Sequence, residues 1–368
     1  MNRNIKTLLI VEAYPWMGQH SGLIPLLREL RKIHQLEIHE VSGTLEGTFS
    51  GLQGKLLKRI WYRFPNSCSR RIAPYACFDG YNYGDYRVER RIESAVRKIK
   101  PDLVHHLFAD TRHGYTTSLC QRLGIPFVAT VHKPLSFRKL VNVDYLFLKK
   151  ASAIITVGPE EKAEFEQQVS CPVHFLPHGV AHEFFVPANY QTAEPFTCIT
   201  AGSHLRDYAT LLKTVRIILA KDPQICFKIV IQPRHRKGDE FEGLSAIKQV
   251  SFLSGLSDTE LVETYQSSHC LLLPLFTCTA NNSLLEGISC GLPIITNDFP
   301  GTRAYTDPSF AELPPSGDAA AMAEAVLRLK AAPENWEPKR NSARRFAISN
   351  FDWASIAREH LELYRTID

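Results

Sequence analysis

The chain has 368 residues, of which 44% are hydrophobic and 22% are charged. This balance is typical of a globular protein and excludes a disordered chain, and the length suits two domains of about 180 residues each. No apolar run approaches the roughly 20 residues that span a bilayer, and the start, MNRNIKTLLIVE, lacks the pattern of a signal peptide. The nine cysteines form no CxxC pair, so we expect a reduced, cytoplasmic protein.

The net charge of +5 is unevenly distributed along the chain. Segment 55–71 combines Lys and Arg with Leu, Ile, Trp, Tyr and Phe, a mixture typical of segments that lie on a membrane surface. One interpretation is peripheral contact with the inner face of a membrane, and the other is a solvated helix whose apolar side faces the core. The sequence carries no RNA- or DNA-binding signature, so no nucleic acid partner is expected.

Short apolar runs alternate with helical patterns through the first half of the chain. This βαβ rhythm predicts an α/β fold with a doubly wound parallel sheet. The predicted strands are 7–12, 36–41, 103–107, 127–131, 154–157 and 173–176, and the predicted helices are 21–33, 88–99, 115–123, 143–151 and 160–168.

The rhythm breaks at 177–195, which is rich in Pro, Gly and Asn, and then resumes. We therefore predict two Rossmann-like domains that face each other across a cleft. The predicted strands of the second half are 196–201, 226–231, 250–253, 271–274 and a run after Gly291. The predicted helices are 209–220, 258–266, 281–290 and 353–364. The predicted domains are 1–180 and 196–350, with a linker at 181–195 and a terminal segment at 351–368.

The stretch 271–298 combines a strand, a polar loop, a short helix and a second strand. Asn281, Asn282 and Ser283 can cap the helix, whose free N–H groups and positive dipole end would then lie outside the carboxyl end of a strand. Such a helix end is suited to a phosphate group. Glu286 lies one turn further along and can accept hydrogen bonds from sugar or ribose hydroxyls.

The same stretch resembles the nucleotide-sugar loop of family-four retaining glycosyltransferases of the GT-B fold. That family has the pattern E-x7-E followed by a Cys-Gly-x-Pro turn, and Glu286, Cys290, Gly291 and Pro293 match it. Cys278 occupies the place of the first Glu. A thiol cannot replace a carboxylate that accepts hydrogen bonds from sugar hydroxyls.

The resemblance implies an enzyme that moves a sugar from a nucleoside diphosphate-sugar to an acceptor hydroxyl with retention. No DxD pair stands as a metal site at a suitable strand end, so we expect neither a metal ion nor another cofactor. A glycan or a lipid-linked glycan is the expected acceptor, and the terminal segment 351–368 would pack on the first domain. Because of Cys278, the alternative is a catalytically silent nucleotide-sugar-binding scaffold at the membrane. A GT-B epimerase is a third interpretation, for which the sequence shows no convincing set of carboxylates.

Three further places resemble elements of that family. The turn GQHSG after the first strand resembles its glycine loop, although a plain βα turn is the alternative, and the absence of GxGxxG disfavours a nicotinamide dehydrogenase. His132 follows the strand 127–131, as does the histidine of the family that contacts the transferred sugar, whereas a lone histidine is otherwise more often structural. His105 and His106 resemble an element on the acceptor side, and one of them must face the core.

The turn 202–208 differs from the family, which has an Arg directly after the glycine and a Lys about five residues on. Ser203 stands at the first place and no Lys at the second, so we predict Arg206 as the phosphate cation, because a guanidinium makes paired hydrogen bonds to phosphate. The complete prediction is His132, Arg206 and Glu286 as catalytic residues; Gly18, Gly22, Ser203, Phe252, Leu253, Cys278, Thr279, Ala280, Asn281, Asn282 and Ser283 around the donor; and His20 and His106 on the acceptor side.

Overall fold

The computed structural model describes residues 5–12, 19–20, 22–34, 36–42, 83–110, 114–134, 146–188 and 195–367. The chain divides into two compact units, which we describe separately. Unit 1 comprises the described residues of 1–17, 26–177 and 356–368, and unit 2 comprises those of 18–25 and 178–355. Gly18 and the basic segment 55–71 lie outside the described residues.

Unit 1 contains a parallel sheet. Its strands are β1 (Thr7–Glu12), β2 (Glu37–Ser42), β3 (Leu103–His106), β4 (Phe127–Val131), β5 (Ala153–Thr156) and β6 (Val173–Phe175). They lie in the order β2-β1-β3-β4-β5-β6, and every neighbouring pair is parallel. The strands β3, β4 and β5 are buried along their whole length. Parallel strands covered on both faces usually have continuous apolar sequences. β4 and β5 are close to this pattern, whereas β3 ends in two histidines.

Helices of the first half of the chain cover this sheet. They are α1 (Ile24–Arg31), α2 (Tyr83–Ile99), α3 (Gly114–Leu123) and α4 (Pro159–Glu166). Val88 and Ile92 of α2 and Leu119 of α3 join the strands in one buried cluster, and each fully buried side chain of this size contributes about 1.5–3 kcal/mol. The helix predicted at 143–151 is a 3₁₀ helix at Leu146–Lys150, a geometry common in short connections.

Unit 2 contains a second parallel sheet. Its strands are β7 (Thr197–Ala201), β8 (Cys226–Val230), β9 (Val250–Leu253), β10 (Cys270–Leu273), β11 (Ile294–Thr296) and β12 (Ala311–Glu312). They lie in the order β12-β11-β10-β7-β8-β9, again with parallel pairs. The direction of winding reverses between β7 and β10. Open α/β sheets bind ligands at such a switch point, outside the carboxyl ends of the strands.

Apolar side chains of unit 2 fill both faces of its sheet. Leu271 and Leu273 of β10 belong to one buried cluster, whereas Cys270 and Leu272 belong to another. This separation follows from the alternation of side chains along a strand. The helices of this part of the chain are α5 (Tyr208–Lys221), α6 (Asp239–Ser245), α7 (Asp258–Gln266), α8 (Asn282–Ser289), α9 (Pro300–Ala304), α10 (Ala319–Ala331), α11 (Trp336–Asn350) and α12 (Trp353–Thr366), the last of which continues into unit 1.

The segment after Pro177 belongs to unit 2. Phe185 is only 1% exposed and lies in the core of that unit. A Cβ atom on Gly179 would lie 2.5 Å from the ring of Trp353, so this close approach requires glycine. The predicted linker, 181–195, therefore starts inside a packed region. Its few apolar side chains alternate with polar residues and prolines, so the sequence resembles that of a linker. Across the described ranges, no helix is long and apolar enough to cross a membrane.

Candidate functional site

Two loops meet at the switch point of the unit 2 sheet. Gly202 follows β7 with a φ of +88°, which glycine adopts without strain. The carbonyl oxygen of Pro274, which follows β10, accepts a hydrogen bond from the Asp207 N–H at 3.0 Å. The Phe276 N–H donates to the carbonyl oxygen of Leu205 at 3.1 Å. These bonds hold the two loops together at the carboxyl ends of β7 and β10.

Arg206 connects the first loop to the start of α8. Its Nε donates to the carbonyl oxygen of Ala201 at 2.9 Å, and its Nη1 donates to that of His204 at 2.8 Å. Its Nη2 donates to Asn281 Oδ1 and to Ser283 Oγ, both at 3.0 Å. Burial lowers the pKa of Arg206, but a guanidinium remains charged at neutral pH. The predicted phosphate cation is thus held in a fixed orientation by four hydrogen bonds.

The three predicted capping residues have different positions at the start of α8. Asn281 is the N-cap, and its Oδ1 accepts a hydrogen bond from the Leu284 N–H at 3.2 Å. Ser283 is buried, and its hydroxyl lies 3.1 Å from the carbonyl oxygen of Ala201. Asn282 is exposed. The sequence allowed any of the three to cap the helix, and the structure selects Asn281.

Glu286 lies on α8 one turn beyond the cap and is 6% exposed. Its Oε2 accepts a hydrogen bond from the Tyr265 hydroxyl at 2.9 Å. Tyr265 lies on α7 and is fully buried, and burial, with the nearby Glu286 as a second cause, raises its pKa well above the ordinary value. This tyrosine was not predicted as a site residue, because nothing in the sequence relates it to a carboxylate 21 positions away.

A small pocket of unit 2 joins residues from three parts of the sequence. Glu286 and Asn282 line it from α8, and Gly179 lines it from the segment after β6. The predicted residues His20 and Gly22 line the same pocket, and the His20 ring stacks on Phe184 with centroids 3.6 Å apart. The pocket is also lined by Val180 and Leu285. The structure therefore brings Gly22, Asn282 and Glu286, which were predicted around the donor, into one pocket with His20, which was predicted on the acceptor side.

The loop between β10 and α8 buries Cys278. This residue is 5% exposed and belongs to the apolar cluster on one face of the sheet. Its thiol lies 3.0 Å from the carbonyl oxygen of Thr279. Thr279 is also buried, and Ala280 is partly buried. A Cβ atom on Gly301 would lie 2.0 Å from the Cys278 carbonyl oxygen, so the loop packs tightly on the start of α9. The Cys278 side chain contributes to the core here.

The remaining predicted donor residues lie on two separate elements. Ser203 is partly buried in the loop after β7. Phe252 and Leu253 belong to β9, the edge strand of the sheet, and the Leu253 carbonyl oxygen accepts a hydrogen bond from the Ile231 N–H at 2.9 Å. The guanidinium of Arg236 lies 4.7 Å from the centre of the Phe252 ring, within the range of a cation–π contact.

In unit 1, His132 follows β4 as predicted. Its Nε2 lies 2.7 Å from the carbonyl oxygen of Leu107, and its ring stacks on Phe108 with centroids 4.7 Å apart. The Asp110 carboxylate accepts hydrogen bonds from the N–H groups of His132, at 2.7 Å, and Lys133, at 2.9 Å. Burial lowers the pKa of His132. A neutral imidazole that donates from Nε2 to the carbonyl oxygen fits these contacts.

Both histidines of β3 are buried, because this strand is covered on both faces. His105 is 0% exposed, with its Nδ1 2.6 Å from the Tyr364 hydroxyl and its Nε2 2.7 Å from Thr130 Oγ1. His106 is 1% exposed. We expected one of the two histidines to be buried, and the structure buries both. The predicted acceptor-side residue His106 therefore has almost no accessible surface in the structure.

Comparisons with known proteins agree with this architecture. Residues 26–184 match the family model described as Glycosyltransferase Family 4, and residues 195–331 match the model described as Glycosyl transferases group 1. An MMP alpha-(1->4)-mannosyltransferase of Mycolicibacterium hassiacum is 22% identical over 270 residues, or 66% of each chain. The alignment thus leaves about a third of that relative uncovered.

Two solved structures have a similar fold. A sucrose-phosphate synthase of Thermosynechococcus elongatus superposes with a TM-score of 0.70 and 16% identity over 98% of each chain. HepE of Anabaena, solved in complex with UDP and glucose, superposes with a TM-score of 0.65 and 12% identity over 99% of this chain and 100% of its own. Two parallel six-stranded sheets and these likenesses define a GT-B fold. The chain belongs to the family-4-like glycosyltransferases.

Proposed function

We propose that this protein transfers a sugar from a nucleoside diphosphate-sugar to an acceptor hydroxyl, with retention of configuration and without a metal ion, during the assembly of a glycan, polysaccharide or glycolipid. The proposal rests on a group of contacting residues at the carboxyl ends of β7 and β10 in unit 2. There Arg206 is bonded to the N-cap of α8, and Glu286 lies one turn along the same helix.

The diphosphate would bind at Arg206 and the N-terminus of α8. The positive charge of the guanidinium and the dipole of the helix both attract an anion. The hydrogen bond from Arg206 Nη1 to the His204 carbonyl oxygen is the exposed one of the four. A phosphate oxygen is a stronger acceptor than a neutral carbonyl, so we infer that the donor replaces His204 at this nitrogen. Charge that develops on the leaving diphosphate is then stabilised by groups already in position.

Glu286 would bind the ribose, and His132 would orient the transferred sugar. A carboxylate accepts hydrogen bonds from two neighbouring hydroxyls, which is the arrangement that a ribose offers. The UDP and glucose bound to HepE and the mannosyl transfer named for the mycobacterial relative support a nucleotide-sugar donor here. Because the Cys278 thiol lies in the core and Thr279 is buried beside it, we infer that Thr277 or Asn282 contacts the donor sugar.

The test uses purified protein, a panel of UDP-, GDP- and dTDP-sugars, and EDTA. We expect one donor to raise the melting temperature and to release its diphosphate slowly, and the anomeric configuration of the product, read by NMR, to match that of the donor. Among the described residues, no three His, Cys, Asp or Glu side chains group as a metal ion would need. Turnover that EDTA abolishes and Mg²⁺ or Mn²⁺ restores would contradict the metal-free proposal. Stabilisation without turnover under any condition would contradict the transferase.

A membrane-bound, lipid-linked acceptor is proposed from segment 55–71 alone. If this segment lies on an anionic membrane, Lys55, Lys58, Arg59 and Arg63 supply the attraction, at about 1 kcal/mol for each charge near the surface. Reversal of these four charges to Glu is expected to abolish co-sedimentation with liposomes that contain anionic lipid, while the melting temperature stays unchanged. Wild-type protein that fails to bind such liposomes at low salt would remove the proposal.

A further inference from the structure

The Tyr265 hydroxyl occupies a buried position that the proposed reaction does not yet use. The ring is fully buried, packs edge-on against Phe185 with centroids 6.4 Å apart, and is held by α7. Its hydroxyl donates to Glu286 Oε2 at 2.9 Å. A buried hydroxyl without a hydrogen bond destabilises a protein. Keeping the bond between the Tyr265 hydroxyl and the Glu286 carboxylate avoids this cost and holds both side chains in one geometry.

Ser283 extends this contact toward the phosphate side of the site. Its hydroxyl accepts a hydrogen bond from Arg206 Nη2 at 3.0 Å and donates to the carbonyl oxygen of Ala201 at 3.1 Å. The same hydroxyl lies beside Tyr265, where it opposes the rise in the pKa of that tyrosine. Hydrogen bonds therefore join Arg206 to Ser283 and Tyr265 to Glu286, and Ser283 and Tyr265 lie side by side.

We propose that Tyr265 is a positioning residue that orients the Glu286 carboxylate for recognition of the ribose hydroxyls of the donor. This inference rests on the proposed function, in which Glu286 contacts the ribose. A glutamate side chain loses rotamer freedom when it binds a ligand, and a partner that fixes the rotamer beforehand reduces that loss. The hydrogen bond from Tyr265 to one carboxylate oxygen supplies such a restraint.

The test compares ribose and dideoxyribose ligands in the wild type and in Tyr265→Phe. UDP or GDP, whichever binds the wild type, is titrated by calorimetry beside its 2′,3′-dideoxy form. Tyr265→Phe is expected to weaken binding of the ribonucleotide about tenfold, or about 1.4 kcal/mol, and to leave the dideoxy form nearly unchanged. A role in stability alone would weaken both ligands equally.

Tyr364→Phe is the matched control, because it removes another fully buried tyrosine hydroxyl, the one that contacts His105 in unit 1. This variant is expected to keep the wild-type preference for the ribonucleotide. Ser283→Ala removes the hydroxyl that lies beside Tyr265. We expect it to reduce the preference in the same direction, which keeps the proposal testable if Tyr265→Phe does not fold.

The outcomes separate the two proposals. A wild type that binds none of UDP, GDP and dTDP contradicts the proposed function itself. A wild type that prefers the ribonucleotide, together with variants at Tyr265 and Ser283 that keep the full preference, leaves the proposed function intact and overturns the positioning role. Loss of the preference in Tyr265→Phe, with the preference of Tyr364→Phe unchanged, supports it.

Discussion

The contacts of Arg206 depend on the shape of the guanidinium as well as on its charge. Lysine would keep the charge, but a single ammonium group cannot contact the Ala201 carbonyl oxygen, Asn281 and Ser283 together. We expect Arg206→Lys to lower the free energy of unfolding by about 1–3 kcal/mol and to weaken nucleoside diphosphate binding. Urea unfolding and calorimetric titration measure the two effects.

Arg303→Lys is the matched control for this substitution. Arg303 pairs with Asp298 through two hydrogen bonds of 2.5 and 2.7 Å, but its side chain is 60% exposed. Exposed ion pairs contribute about 0–1 kcal/mol, so we expect the control to unfold close to the wild type and to bind the nucleotide equally. Equal losses in the two variants would show that the buried contacts of Arg206 add nothing.

At the scale of elements, substitutions at the N-terminus of α8 show which residue caps this helix. Asn281→Ala removes the acceptor of the Leu284 N–H and of Arg206 Nη2. Loss of an N-cap side chain costs about 0.5–2 kcal/mol, and the unpaired guanidinium hydrogen increases that cost. Asn282→Ala, one position later and exposed, is expected to change stability by less than about 0.5 kcal/mol. Similar urea midpoints for the two variants would contradict the assigned cap.

Several elements were predicted within a residue or two, whereas α2 begins at Tyr83 and not at the predicted residue 88. The strand β4 and the helix α7 have their predicted bounds, and α7 begins with a capping box between Ser257 and Glu260. The helix α10 was missed, although Asp318 caps it by accepting a hydrogen bond from the Ala321 N–H. Its sequence is rich in alanine, and so it carries neither a family motif nor a clear pattern of apolar and polar residues.

The candidate site was predictable only in part, because its contacts join distant parts of the sequence. The family pattern identified Glu286, and the composition of one loop identified Arg206. The partners of Arg206 lie 75 and 77 positions away, and Tyr265 lies 21 positions from Glu286. No spacing along the sequence predicts these contacts, since they arise from the order of the strands in the sheet. The burial of Cys278 and of both histidines in β3 likewise follows from packing.

At the scale of the whole molecule, buried histidines link the stability of unit 1 to pH. His105 of β3 and His360 of α12 lie with their ring centroids 5.9 Å apart, and both are buried. Burial lowers the pKa of His105 well below its ordinary value and lowers that of His360 to about 4. Tyr364 on the same helix contacts His105. The last helix is therefore attached to unit 1 through imidazoles that stay neutral in the folded protein.

A histidine whose pKa is lower in the folded than in the unfolded state destabilises the fold in acid, because the unfolded chain then binds the additional proton. The effect is absent above about pH 6.5 and grows as the pH falls toward 4. Between pH 7.5 and 5, His360 alone is expected to cost about 2 kcal/mol of unfolding free energy, measured by urea unfolding at each pH. His360→Leu should flatten this dependence, while other buried histidines keep part of it. An unchanged slope in the variant would show that His360 binds its proton equally well in the folded and the unfolded protein.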